Sequence, residues 1–304
     1  MSTRIYFEEY GGPQVLKVGI EELPEPGEGQ VLVEFRAVSV NPMDWKLVAG
    51  HLKQRAPLDL PAVPGSEAAG VVAAVGPAFE GFAVGDEVIW NGFIGGYRTE
   101  AVVPADQLTP LPAGVDFEQA ACLPVAGGTA YSAMKQLAVG ADDTVLIHAA
   151  AGGVGSAAVQ IAQAFGARVI GTASEANQEY LRELGAEPVT YGPGLADRVR
   201  LLADEAGSVT AVLDTVGSDD SLAATAELLQ GSNRAVTTVP GKRASEAGLA
   251  AVRQLERRIE EAATLAAEGQ LTFTIAHRMP LIEAAEALEI SRTGHGRGKI
   301  VLLP

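Results

Sequence analysis

The chain has 304 residues, which suits two cores of roughly 100 to 200 residues each and is short for three. Its 47% hydrophobic and 20% charged residues are ordinary globular usage, and no run of about 18 uninterrupted apolar residues offers a membrane span. A formal net charge of −16 repels polyanions at long range, which argues against nucleic acid as a partner and leaves any anionic cofactor to local backbone amides and a few side chains.

The opening MSTRIYFEEY carries acidic residues where a secretory signal needs an apolar run, so a cytoplasmic location is expected. Up to about residue 112 the pattern is β-rich. IYFEEY, QVLVEFRAVSV, GVVAAV, DEVIW and TEAVVP are short Val-, Ile- and aromatic-rich runs separated by Gly, Pro and Asn, the rhythm of a compact barrel-like domain. Residues 117–137 turn helical, with Pro124, Gly127 and Gly128 as interruptions that mark a domain junction.

From Thr144 strands and helices alternate: TVLIHAA, VGSAAVQIAQAF, RVIGTAS, ANQEYLRELG, EPVTY, LADRVRLLADEAG and VTAVLDTV. Such alternation predicts a parallel sheet covered by helices with right-handed crossovers. It continues through a helix near 222–229, a strand near 234–238, a long helix near 246–268 and a sixth strand at 271–276. The tail, PLIEAAEALEISR then GKIVLLP, gives one helix and a last strand able to pair back into the first domain.

Within the alternating region, the strand ending at Ala149 runs into Ala150-Ala151-Gly152-Gly153-Val154-Gly155, a dinucleotide fingerprint with Ala in the first Gly position. Gly152 lets the backbone approach a pyrophosphate, and Gly155 lets the next helix lie against the strand. The amides of Gly152, Gly153, Val154 and Gly155 face the anion at the positive end of the helix dipole, a contribution of up to ~2 kcal/mol. The second strand ends at Ser174, where an acidic residue would bind a ribose 2′-OH, so a neutral donor there favours NADPH; Ser174 is equally suited to cap the next helix.

Metal is not expected. Cys122 is the only cysteine, and His51, His148, His277 and His295 show no metal-ligand spacing.

Six segments, together with the Gly-rich turn and in order, resemble one family. They are Val40-Asn41-Pro42-Met43-Asp44-Trp45-Lys46, Pro64-Gly65-Ser66-Glu67-Ala68-Ala69-Gly70-Val71-Val72, Gly85-Asp86-Glu87-Val88, Gly128-Thr129-Ala130-Tyr131, Leu213-Asp214-Thr215-Val216-Gly217 and Arg297-Gly298-Lys299-Ile300-Val301-Leu302. Nearly the whole chain thus resembles the zinc-free, zeta-crystallin-like quinone oxidoreductase branch of the medium-chain dehydrogenase/reductase superfamily. The resemblance implies an α/β chain with a GroES-like β-rich catalytic domain (residues 1–120 and 278–304) and an inserted Rossmann domain (121–277) with a doubly wound parallel sheet.

It implies further that Asn41 lies near the nicotinamide amide or the substrate carbonyl as the catalytic donor, and that Thr129 touches the cofactor. Asn41 before Pro42 also reads as a turn former, and Thr129 as a helix cap. Asn177 stands where the family has a Lys on the 2′-phosphate, and Tyr191 matches a family Tyr at the same group. Thr215 and Thr238 fall where strand ends line the cofactor, although β-branched residues suit strands in any case. The expected activity is NADPH-dependent hydride transfer to a quinone or related conjugated carbonyl by a homodimer. An enoyl or enone reductase of a dedicated metabolite and a non-catalytic NADPH-binding module are the alternatives.

Overall fold

The computed structural model describes residues 1–78, 80–203, 208–229, 232–294 and 296–304, so His295 lies outside the described residues. The chain divides into two compact units, residues 1–125 with 274–304, and residues 126–273.

In the first unit the strands are β1 (Ser2–Tyr6), β2 (Lys17–Glu21), β3 (Gln30–Val40), β4 (Glu67–Val75), β5 (Glu87–Asn91), β6 (Glu100–Pro104) and β7 (Leu108–Pro110), with helices α1 (Pro42–Val48) and α2 (Phe117–Ala121). The second unit begins with α3 (Gly128–Gln136), then β8 (Thr144–His148), α4 (Gly153–Ala164), β9 (Arg168–Ala173), α5 (Gln178–Glu183), β10 (Glu187–Thr190), α6 (Leu195–Ala203) and β11 (Ala211–Asp214). It continues with α7 (Asp219–Leu228), β12 (Ala235–Thr237), α8 (Lys242–Glu246), β13 (Ala250–Ala251) and α9 (Arg258–Ala267). The tail returns to the first unit as β14 (Ile275–Pro280), α10 (Ala284–Thr293) and β15 (Lys299–Leu303).

The first unit is organised by β3, whose alternating pattern buries Val31, Val33, Phe35 and Ala37 while Arg36 faces solvent. The main sheet runs β14-β15-β3-β4-β5-β7 with β6 also on β3, and β1 pairs with β2 separately. The final strand therefore docks antiparallel on β3, Ile300 opposite Val40. Gly298 makes this possible: its φ is +68°, and a Cβ there would collide with the carbonyl oxygen of Thr274, which accepts the Lys299 amide at 2.9 Å.

The second unit's sheet is entirely parallel in the order β10-β9-β8-β11-β12-β13. That order reverses direction beside β8, the arrangement of a doubly wound dinucleotide fold. Its inner strands are apolar in their middles, as burial on both faces requires; Val145, Leu146, Ile147, Val212 and Leu213 are fully buried.

Two readings of the sequence change here. The sixth strand is Ala250–Ala251, beside Val236 and Thr237, whereas Ile275–Pro280 pairs with β15 in the other unit. Of the long helix expected over 246–268, only Glu246, the last residue of α8, and α9 are helical; Gly248 follows α8 with φ +84°, and β13 lies between the two helices. Alanine supports helix and short strand alike, so the Ala-rich stretch hid the break. Between α2 and α3 a π-type turn over Leu123–Gly127 contains Pro124, the residue expected to interrupt this region.

Candidate functional site

In the parallel sheet, the carboxyl ends of the strands collect most of the residues picked out from sequence. β8 ends at His148, and Ala149 then turns with φ +53°, held by its N–H to Thr172 Oγ1 (3.0 Å) and by the Ala150 N–H to the Thr172 carbonyl (2.9 Å). Gly152 is the N-cap of α4; its own N–H donates to the Ala149 carbonyl (3.1 Å), and its carbonyl accepts from Ser156 N–H (2.8 Å). The first-turn amides of Gly153, Val154 and Gly155 are thereby left without an intrahelical acceptor, at the positive end of a twelve-residue helix. A Cβ on Gly155 would strike the Ala149 carbonyl oxygen and come within 2.7 Å of Ala150 Cα, so only glycine lets α4 sit this close to the turn.

Register carries the remaining candidates to the same edge. Thr190 pairs with Ala173, so Ser174 and Tyr191 leave adjacent strands side by side. Ser174 Oγ accepts from Asn177 Nδ2 (3.2 Å), and Tyr191 is 55% exposed. Thr215 follows β11 and donates its hydroxyl to the His148 carbonyl (2.8 Å); Thr238 follows β12 and donates its amide to the Asp214 carbonyl (3.0 Å). Thr129 sits on α3, buried, its Oγ1 accepting from Gln254 Nε2 (3.1 Å).

Two residues at this edge carried no sequence signal. Arg198 donates to the carbonyls of Pro193 (2.7 Å), Thr190 (2.9 Å) and Gly192 (3.2 Å), which fixes the loop bearing Tyr191. His148 is buried with Nε2 3.1 Å from Thr225 Oγ1. The Thr225 hydroxyl proton goes to the Ser221 carbonyl (2.8 Å), so Thr225 must accept and His148 must carry its proton on Nε2. Burial pushes the His148 pKa down to about 4, against the nearby Asp214 carboxylate, and the imidazole is neutral. Asp214 in turn accepts the amides of Val216 and Gly217 and the Thr237 hydroxyl, tying β11 to β12 and shaping the turn after β11.

In the β-rich unit, Asn41 caps the end of β3 and the start of α1 with its side chain 3% exposed. Its Nδ2 donates to Glu67 Oε1 at 2.6 Å, and its Oδ1 accepts from Lys299 Nζ at 2.7 Å. The ammonium also reaches the Val40 carbonyl (3.2 Å) and Glu67 Oε1 (3.3 Å), so all three of its protons are placed. The other Glu67 oxygen accepts the Val125 amide (2.7 Å) in the π-type turn. Adjacent strands β15, β3 and β4 bring these three side chains together from positions 299, 41 and 67.

Asp44 Oδ2 accepts the Asn41 amide (2.8 Å) and the Tyr97 hydroxyl (3.0 Å). Burial raises the Asp44 pKa to about 7 despite those two donors, and burial likewise holds the Tyr97 phenol well above its ordinary value. Asp44, Glu67 and Lys299 lie within the segments that carry the family resemblance, yet the sequence assigned them no role. The available signal was an ionisable residue set in an apolar run, Glu67 before Ala68-Ala69 and Lys299 before Ile300-Val301-Leu302, one of each sign. Cys122 is buried with its thiol pushed up to about 12, unsuited to act as a thiolate.

No helix among the described residues is long and apolar enough to cross a membrane. The family model for the alcohol dehydrogenase GroES-like domain matches residues 27–113, and that for zinc-binding dehydrogenase matches residues 153–265. A quinone oxidoreductase of Pseudomonas aeruginosa is 35% identical over the full length of both chains. Among solved structures, Escherichia coli quinone oxidoreductase complexed with NADPH superposes with TM-score 0.85 at 30% identity, covering 99% of this chain and 100% of that one. An NAD-dependent alcohol dehydrogenase gives TM-score 0.87 at 30% identity over 99% of each chain. The β-rich unit is thus GroES-like, the parallel unit is a Rossmann domain, and this oxidoreductase belongs to the quinone oxidoreductase branch of the medium-chain dehydrogenase/reductase superfamily.

Proposed function

We propose that this protein is an NADPH-dependent, zinc-independent oxidoreductase that reduces a quinone or a related conjugated carbonyl compound. The observation that carries the reading is the carboxyl edge of the Rossmann sheet. There the free amides of Gly153, Val154 and Gly155 form an anion site at a topological switch point, with Ser174, Asn177 and Tyr191 beside it. These groups fit a dinucleotide: the amides suit the pyrophosphate, and the neutral Ser174 and Asn177 suit a 2′-phosphate better than a carboxylate would. The Escherichia coli relative crystallised with NADPH supports the same cofactor.

When bound, NADPH supplies a hydride, so that a quinone plus one proton from water becomes a quinol and NADP⁺. Negative charge that develops on the substrate oxygen needs a preorganised donor, and Asn41 is the residue this reading assigns to it. Zinc independence is supported by residue type. Asn41, Asp44 and Ser66 hold neither thiolate nor imidazole, and the Cys122 thiol stays protonated. The homodimer belongs to this reading and is checked by sedimentation.

NADPH oxidation followed with 1,4-benzoquinone, 9,10-phenanthrenequinone and 2-enones tests it. Turnover of quinones in metal-free buffer is expected. Exclusive turnover of enoyl thioesters would make the protein a dedicated enoyl reductase, and tight NADPH binding without turnover would make it a binding module.

A further inference from the structure

We infer that Lys299 and Glu67 are positioning residues that lock the Asn41 amide in one of its two orientations, so that Asn41 serves the reaction as a hydrogen-bond donor and not as an acceptor. An asparagine amide is nearly symmetric in shape, and a half-turn about its last bond exchanges Oδ1 with Nδ2. In the wall around Asn41 that exchange is forbidden by charge. The Lys299 ammonium lies 2.7 Å from Oδ1, and a flipped amide would aim N–H bonds at it. The Glu67 carboxylate lies 2.6 Å from Nδ2, and a flipped amide would place oxygen against oxygen.

The backbone of Asn41 is pinned as well, by its N–H to Asp44 Oδ2. Asp44 is itself held by the Tyr97 hydroxyl, so the amide swings neither by rotation nor by movement of its Cα. Of the two N–H bonds on Nδ2, Glu67 takes one, and no second acceptor stands among the described residues. The group left over is a donor whose direction is fixed by the first bond.

That chemistry suits an oxygen that gains negative charge, such as the carbonyl of a quinone on its way to quinol, and it disfavours a substrate group that must donate a hydrogen bond to the same residue. The three side chains come from β15, from β4 and from the end of β3, so the lock depends on the last strand docking on β3. Satisfied on every side, the ion pair also avoids the cost of a lone buried charge. The inference rests on the reading of Asn41 as the donor to the substrate oxygen, and its test separates the two.

The test is a cycle of four proteins: the parent, Asn41→Ala, the double variant Glu67→Gln/Lys299→Met, and all three substitutions together. The double variant removes both charges at once, so neither is stranded. Turnover of 1,4-benzoquinone is measured in each, and NADPH affinity is measured by calorimetry to show that each protein is folded and loads cofactor equally.

Asn41→Ala is expected to lower kcat/KM by about 100-fold, in the range for loss of one oxyanion donor. Glu67→Gln/Lys299→Met is expected to lower it roughly tenfold in the parent and less than twofold in the Asn41→Ala background, because a positioning residue has nothing left to position. Equal losses in both backgrounds, or Asn41→Ala within twofold of the parent, overturn the inference and leave the oxidoreductase reading standing. A parent that oxidises NADPH with no quinone overturns both. Where the double variant fails to fold, Glu67→Gln/Lys299→Gln, which also removes both charges, is read in the same cycle with the same criteria.

Discussion

The β-rich unit sets one ion pair at its centre, Lys299 against Glu67 with the Asn41 amide bonded to both, and closes every hydrogen bond of the ammonium. The Rossmann unit buries His148 as a neutral ring, with Nε2 on Thr225 and Nδ1 without a hydrogen-bond partner among the described residues. Its candidate surface is backbone: the amides at the start of α4, where glycine lets the helix lie close to the turn. One unit thus orients a side chain by charge, and the other orients a main chain by steric fit. Substitutions of the charged pair should register in stability, and substitutions at the start of α4 in cofactor affinity as well as stability, while each unit holds one buried titratable group that sets its own pH response.

The largest expected effect tests the charged half. Lys299→Met strands Glu67 in the interior, and removal of one partner of a buried pair costs about 3–5 kcal/mol. Urea unfolding should show that loss, and adding Glu67→Gln should restore most of it. A cost below about 1 kcal/mol would mean that the pair does not hold the unit as its geometry implies.

Titration sharpens the contrast, because the two buried groups pull stability in opposite directions. Asp44 is raised from 3.8 to about 7, so between those values the native protein holds a proton that the unfolded chain has released. Its contribution is full below pH 3.8 and is lost as pH rises through 7, at up to about 1.4 kcal/mol per pH unit. His148 is lowered from 6.5 to about 4, so between those values the unfolded chain takes up the proton. Stability from that source is complete above pH 6.5 and is lost as pH falls toward 4. Relative to the parent, Asp44→Asn should therefore gain stability as pH rises from 4 to 7, and His148→Gln should gain it as pH falls from 6.5 to 4. Slopes of the same sign for the two variants would break the comparison.

On the steric side, Gly155→Ala must push its Cβ into the Ala149 carbonyl and Ala150, backbone atoms with little room to yield. A loss of about 1–3 kcal/mol in stability is expected, with NADPH affinity falling roughly tenfold or more as the first turn of α4 tilts away. Calorimetry and a thermal melt on the same sample separate the two effects. A variant that binds NADPH normally would show that the close approach of α4 is not needed for the cofactor.

The Gly-rich turn was legible because its chemistry is local: a strand, a few glycines and a helix start lie within a dozen residues, and each glycine has a backbone reason. The parallel sheet was legible through its alternation of apolar strands with amphipathic helices. Ala250–Ala251 was not, since two alanines carry no period, and the sheet's sixth place went to residues 271–276, which cross the unit boundary and are strand only from Ile275 onward, in the other unit. The lock on Asn41 was hidden for another reason. Lys299 and Glu67 are 232 positions apart, and only the docking of β15 on β3 makes them neighbours. Arg198 escaped notice because its partners are carbonyls of the segment that precedes its helix, and main-chain acceptors leave no trace in side-chain pattern.

The smallest effect concerns which cofactor the Rossmann edge prefers. Ser174 and Asn177 hold each other at the end of β9, and Arg198, a cation on the first turn of α6, is engaged by three carbonyls of the neighbouring loop. A 2′-phosphate held here meets neutral donors more than charge. On the proposed reading, Ser174→Asp puts a carboxylate at the place assigned to that phosphate and offers it to a ribose 2′-OH instead, so NADPH affinity should fall and NADH affinity rise. A change in their ratio of roughly 10- to 100-fold corresponds to 1.4–2.8 kcal/mol, within the reach of one partly solvated charge pair. Asn177→Lys should move the ratio the other way and make NADPH binding more sensitive to salt, because screening acts on the new ammonium and not on the amides. If neither substitution shifts the ratio, the ribose end of the cofactor does not lie at Ser174, although the pyrophosphate could still rest on α4.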